Sequence, residues 1–135
     1  MSGFSFPKER RLRARREFIA VQESGRRVHT AHFVLIVGRG PVAAAPSRVG
    51  ITVTKKIGTA VRRNRVKRLV REAFRLDPAL LPDGVDLVVI AKDGAPGLGL
   101  ADVQTEWAGV RKLLQRRASE VLTAAAASSA PKHVG

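Results

Sequence analysis

Apolar and polar positions change period several times along the chain, and each change predicts an element. From about Leu12 to Glu23, the residues Leu12, Phe18 and Val21 can share one helical face, and Gly25 marks the stop. His32 to Gly38 is a short apolar run rich in β-branched residues, closed by the Gly/Pro stretch "RGPVAAAPS". In "RVGITVTKK" the residues Val49, Ile51 and Val53 alternate with Gly50, Thr52 and Thr54, which predicts a strand with a core face and a small, polar outer face. The two runs are expected to be antiparallel neighbours, with a further short strand near Arg26 to Thr30. A helical segment over Val61 to Arg75 is broken by Asp77-Pro78. "VDLVVIAKD" is apolar throughout, as a strand buried on both faces would be. After the loop "GAPGLG", Asp102 is expected to cap a last helix with Val103, Trp107, Val110, Leu114, Ala118 and Val121 along one side.

The order α-β-β-α-β-α predicts an α+β fold, an α/β sandwich on a small mixed sheet. Residues 1–9 are expected to be a flexible leader, 10–122 a single domain, and the low-complexity tail 123–135 disordered.

The helix "VRRNRVKRLVREAFR" changes the picture. On a helical wheel Val66, Leu69, Val70, Ala73 and Phe74 form one apolar stripe, while Asn64, Arg68, Arg71 and Arg75 fall opposite, flanked by Arg65 and Lys67. An ordinary solvent-facing side mixes signs, because like charges at i,i+4 cost about 0.2–0.5 kcal/mol per pair. Here Arg68, Arg71 and Arg75 are expected to repel one another without compensation. Contact with phosphates would relieve that repulsion, and the guanidinium fork matches phosphate oxygens in two-point contacts.

Charge over the whole chain agrees. Its 135 residues hold 25 Lys plus Arg against 11 Asp plus Glu, a formal net charge of +14. The first 80 residues hold 19 basic and 5 acidic side chains, and the remainder is balanced at 6 of each, so one part of the surface is suited to a polyanion. The absence of cysteine excludes disulfides and thiolate chemistry. "MSGFSFPKERR" lacks the apolar core of a signal peptide, and "FVLIV" and "VDLVVIA" are too short to span a membrane, so a cytoplasmic protein without membrane contact is expected. Aromatics are few (five Phe, one Trp, no Tyr), and Phe18 is the best-placed platform for a base. The scattered acids offer no carboxylate cluster for metal-dependent hydrolysis, and His29 and His32 are surface or packing residues. No catalytic residue and no strong metal site is expected in the chain.

"RVGITVTKKIGTAVRRNRVKRLVREAFR" resembles the signature of the bacterial ribonuclease P protein subunit, gapless over Arg48 to Arg75. "RLRARREF", "HFVLIV" and "DLVVIAK" extend the resemblance to roughly Arg10–Arg117. It implies a ribosomal-protein-S5-domain-2-like sheet of about four strands, with a left-handed β-α-β crossover through the basic helix. It also implies a partner, the large catalytic RNA whose bound Mg²⁺ ions carry the chemistry, and a substrate, precursor transfer RNA, which loses its 5′ leader. Arg63, Asn64, Arg65, Lys67, Arg68 and Arg71 inherit the catalytic-RNA surface, completed by Arg62 and Arg75. Phe18, Thr52, Thr54 and Lys55 match the cleft for the leader, with Lys56 beside them. The protein is otherwise expected to be monomeric. The chain departs from the family pattern at Gln22 and Ile36, where aromatics are common, and at Ala14, often basic. The alternative is a general RNA-binding or ribosome-associated protein without a role in cleavage.

Overall fold

The computed structural model describes residues 10–129. Four strands, β1 (Arg26–His29), β2 (Phe33–Arg39), β3 (Arg48–Thr52) and β4 (Val85–Ala91), form one mixed sheet in the order β1-β2-β4-β3. Helix α1 (Arg15–Ser24) precedes the sheet, α2 (Ala60–Arg75) joins β3 to β4, and α3 (Leu100–Ala108) and α4 (Arg111–Ser129) follow. The fold is therefore α+β, with β3 and β4 parallel neighbours linked through α2.

The two early apolar runs are not neighbours. β4 lies between them, antiparallel to β2 and parallel to β3. Alternation within a run shows which side chains share a face, but not which strand lies alongside. The strand apolar on both faces takes the central position, because only there are both faces covered.

Register divides the core in two. Phe33, Leu35, Val37, Leu87, Val89 and Ile51 point to one face, where they pack with Val66, Val70, Ala73 and Phe74 of α2 and with Trp107, Leu114 and Ala118. Ile36 and Val88 point to the other face and pack with Leu12 and Val21, alongside Phe18. Helices α2 to α4 thus cover one face and α1 the other.

Several expectations are corrected. Helix α1 begins at Arg15, and Leu12 lies before it in extended chain, its N–H donating to the Val49 carbonyl at 2.9 Å while Arg11 pairs with Val49 as a parallel bridge. The last helix is two, broken at Gly109. Asp102 sits inside α3 and reaches back to the Gly99 N–H at 2.8 Å instead of occupying the cap itself. Helix α4 extends to Ser129, past the expected domain boundary at 122. The proposed leader and residues 130–135 lie outside the described residues. Among the described residues no helix is long and apolar enough to cross a membrane.

Polar contacts fix α1 to the sheet. Arg48 of β3 donates to both oxygens of buried Asp86 on β4, Nε at 3.1 Å and Nη2 at 2.7 Å, and its Nη1 reaches Glu17 of α1 at 3.0 Å. The other Glu17 oxygen accepts the Arg13 and Ala14 N–H groups, each at 3.0 Å, closing the start of the helix that Ala14 has no side chain to cap. Those backbone bonds, reinforced by Arg48, lower the Glu17 pKa from 4.5 to about 2. A depressed folded-state pKa contributes stability above the unfolded value and loses it as pH falls towards the folded one. Glu17→Gln should therefore lower stability at pH 7 by about 1–2 kcal/mol, less than the full shift because the carboxylate is part-solvated. Melting curves should show that deficit shrinking as pH falls from about 4.5 towards 2. A deficit independent of pH would contradict the assignment.

Candidate nucleic-acid interface

Between α1 and α2, over β3, lie two adjoining hollows of about 340 and 450 Å³ that share Phe18, Ile51 and Lys67. Each wall follows from local sequence. The "RLR" alternation in extended chain brings Arg11 and Arg13 to one end, and α1 contributes Arg15, Phe18 and Gln22. Helix α2 contributes Lys67 and Arg71, one turn apart. The start of α2 is fixed by Thr59, whose hydroxyl accepts the Arg62 N–H at 3.3 Å. Arg10 holds the entering chain by donating to the Ser47 carbonyl and lying 5.4 Å from the Phe74 ring centroid.

The floor depends on one glycine. A Cβ placed on Gly50 would stand 2.6 Å from the Phe18 ring and 2.9 Å from the Leu12 Cβ. The ring therefore rests on bare backbone, half-buried, with an edge in the groove. Phe18 is at once a packing residue and a groove residue.

The basic helix distributes its charge in three directions, which corrects the single ridge expected from the wheel. Arg62, Asn64 and Arg68 are exposed on the outer side. Lys67 and Arg71 turn into the groove, where burial and then the charge of Arg11 lower the Arg71 pKa. Arg65 donates to the Pro96 and Leu98 carbonyls at 3.2 and 3.1 Å, and Arg63 to the Gly58 carbonyl at 3.2 Å. Arg75 is compensated, paired with Glu72 at 2.6 Å, so its charge is not the unopposed one expected. The wheel locates side-chain directions but not the neighbours that meet them.

Of the residues assigned to the leader cleft, Phe18 and Thr52 meet in the groove. Thr54, Lys55 and Lys56 are exposed beyond the end of β3, the two lysines on a 3-10 turn over Lys55–Ile57 that leads into α2. Gln22 lines the groove, whereas Ile36 is fully buried beneath α1 and could not present an aromatic there. Arg11 was missed as a groove residue, although the alternation around Leu12 was the available signal. His32 is half-buried and bonded through Nδ1 to Glu106 at 2.8 Å, a packing role, and His29 is exposed.

An open groove lined by five cations, with an aromatic on its floor and no carboxylate among the described residues of its lining, defines a nucleic-acid-binding α+β protein suited to an extended strand. The ribonuclease P family model matches residues 6–118, and the chain belongs to the ribonuclease P protein family. It is 51% identical over 92 residues to the ribonuclease P protein component of Desulfatibacillum aliphaticivorans, spanning 68% of this chain and 76% of that one. With the component from Desulfovibrio desulfuricans it shares 39% identity over 131 residues, 97% of this chain and all of the relative. The solved Staphylococcus aureus RNase P protein superposes with a TM-score of 0.69 at 29% identity, covering 78% of this chain and 95% of that one. Its function is that of the family, the protein subunit of a ribonucleoprotein endoribonuclease in transfer-RNA processing.

Gly50→Ala tests the floor. It should destabilise the fold by about 1–3 kcal/mol, as overpacking does. Phe18→Ala in the same chain should recover part of the loss, the remainder reflecting the Leu12 contact. Chemical denaturation of the two single variants and the double variant measures the coupling, and strict additivity would mean the ring does not rest on Gly50.

Proposed function

We propose that the chain binds the catalytic RNA of ribonuclease P through the outer side of α2 and takes the 5′ leader of precursor transfer RNA into the groove beside Phe18. The groove lining carries this reading: Arg13, Arg15, Lys67 and Arg71 converge with Arg11 around an aromatic floor. Arg71 is the telling member. Its charge is partly desolvated and faces Arg11, a costly arrangement in the free protein that a phosphate between them would relieve. Phe18 offers a sequence-tolerant stacking surface, and Thr52 a hydroxyl beside it. Thr54, Lys55 and Lys56 extend the positive surface where the strand leaves the groove. Arg62, Arg63, Asn64, Arg65 and Arg68 face the catalytic RNA, with Arg75 at its margin.

Hydrolysis of the phosphodiester bond belongs to the RNA and its Mg²⁺. The cationic groove repels a divalent ion, and among the described residues no three His, Asp or Glu side chains converge to hold one. The described residues of the groove do not suit a Mg²⁺ site; their chemistry is that of neutralising and positioning phosphates. The protein works in the cytoplasm, monomeric apart from its RNA partners.

Phe18→Ala tests the leader assignment. Binding of precursor transfer RNA to the reconstituted complex should weaken by about 1–3 kcal/mol, and that of mature transfer RNA far less. Equal weakening of both, explained by a lowered melting temperature, would make Phe18 a core residue only. Arg68→Ala tests the other side. Being exposed, it should leave the melting temperature unchanged while flattening the log–log salt dependence of catalytic-RNA binding by about 0.9. An unchanged slope would remove Arg68 from the RNA-facing surface.

A further inference from the structure

Helix α1 has two flanks, and only one borders the groove beside Phe18. Adjacent residues on a helix lie about 100° apart, so the consecutive Arg15 and Arg16 diverge. Arg15 lines the first groove, and Arg16 lines a second hollow of about 500 Å³ on the opposite flank. Its far wall carries Arg39, the exposed last residue of β2, and its floor includes Ala20, Val21 and Pro41.

Two acids, Glu17 and Asp86, also border this hollow, but both are committed. Asp86 accepts two bonds from Arg48, and Glu17 accepts one from Arg48 and two from backbone N–H groups. Arg16 and Arg39 have no hydrogen-bond or ion-pair partner among the described residues. They stand on either side of an apolar floor as the uncommitted charge of this surface.

We propose that this second flank binds the phosphodiester backbone of a structured segment of the catalytic RNA, so that α1 is straddled by RNA. The inference rests on the reading of the protein as the catalytic RNA's partner. Among the described residues no aromatic lines the hollow, so they offer no stacking platform that a single strand's bases would use. What it offers is two forked cations, which match backbone phosphates without regard to sequence. Its separation from the first groove is one helix diameter, about 10–12 Å with side chains, a distance that a single folded RNA crosses easily. That continuity favours RNA over an acidic protein segment as the occupant.

The test is the variant Arg16→Ala/Arg39→Ala, with Arg16→Lys/Arg39→Lys beside it, titrated against the catalytic RNA over a range of salt concentrations. The alanine pair should flatten the log–log slope by about 1.8, two contacts at about 0.9 each, while the lysine pair keeps a slope near that of the unaltered protein. Both side chains are exposed, so melting temperatures should not move. The preference of the assembled complex for precursor over mature transfer RNA should also stay the same. A slope unchanged in the alanine pair overturns the proposal and leaves the parent reading intact, as does a loss confined to the precursor preference. Failure of the unaltered protein to bind the catalytic RNA overturns both.

Discussion

Arg48 is the residue on which the geometry of the interface depends. Its guanidinium joins β3 to β4 through Asp86 and both to α1 through Glu17, so one side chain sets where α1 lies across the sheet. If α1 rolled or slid, Phe18 would leave Gly50 and the groove would lose its floor. The ion pairs are only partly buried, with Asp86 the most enclosed, and their worth lies in direction more than in energy. The same contact engages two carboxylates that border the surface proposed for RNA. A clamp that positions the helix therefore also withdraws Glu17 and Asp86 from the cations beside it, Arg16 and Arg39.

Charge in this molecule is arranged by commitment, not by number. Arg65 and Arg63 are steadied by backbone carbonyls and keep their charge and remaining donors, Arg75 is paired with Glu72, and Arg26 meets Glu120 at 3.4 Å. Arg71 is held where burial and Arg11 both disfavour its charge. A phosphate between Arg71 and Arg11 would relieve that repulsion, the sense in which the proposed groove is suited to a polyanion. Helix α2 serves core and interface together because its apolar stripe is narrow enough to leave two cationic flanks.

Much of this was legible in the sequence because local patterns reflect local physics. The alternation over Val49 to Thr54 correctly separated a core face from a face carrying Gly50 and Thr52, and the stripe of α2 is the buried one. The basic signature identified the family. What was not legible depends on contacts distant in sequence. No feature of β2 or β3 says that β4 will part them, and the glutamate that reaches back to close α1 is indistinguishable by sequence from one in solvent. The wheel grouped Arg68, Arg71 and Arg75 because they share a side of α2, yet burial, an adjacent arginine and an adjacent glutamate give each a different environment. Leu12 was read as helical because an apolar residue among arginines fits either period, and pairing with Val49 decides it.

The central claim is that this chain supplies cationic positioning for an RNA that performs the hydrolysis. The most direct measurement is the Mg²⁺ dependence of precursor transfer RNA cleavage by the catalytic RNA, with and without the protein, alongside the protein alone. Because the protein's cations replace some of the ions needed to offset phosphate repulsion, the Mg²⁺ midpoint should fall when the protein is added. The protein alone should cleave nothing at any Mg²⁺ concentration. An unmoved midpoint, or metal-dependent cleavage by RNA-free protein that survives further purification, would contradict the account.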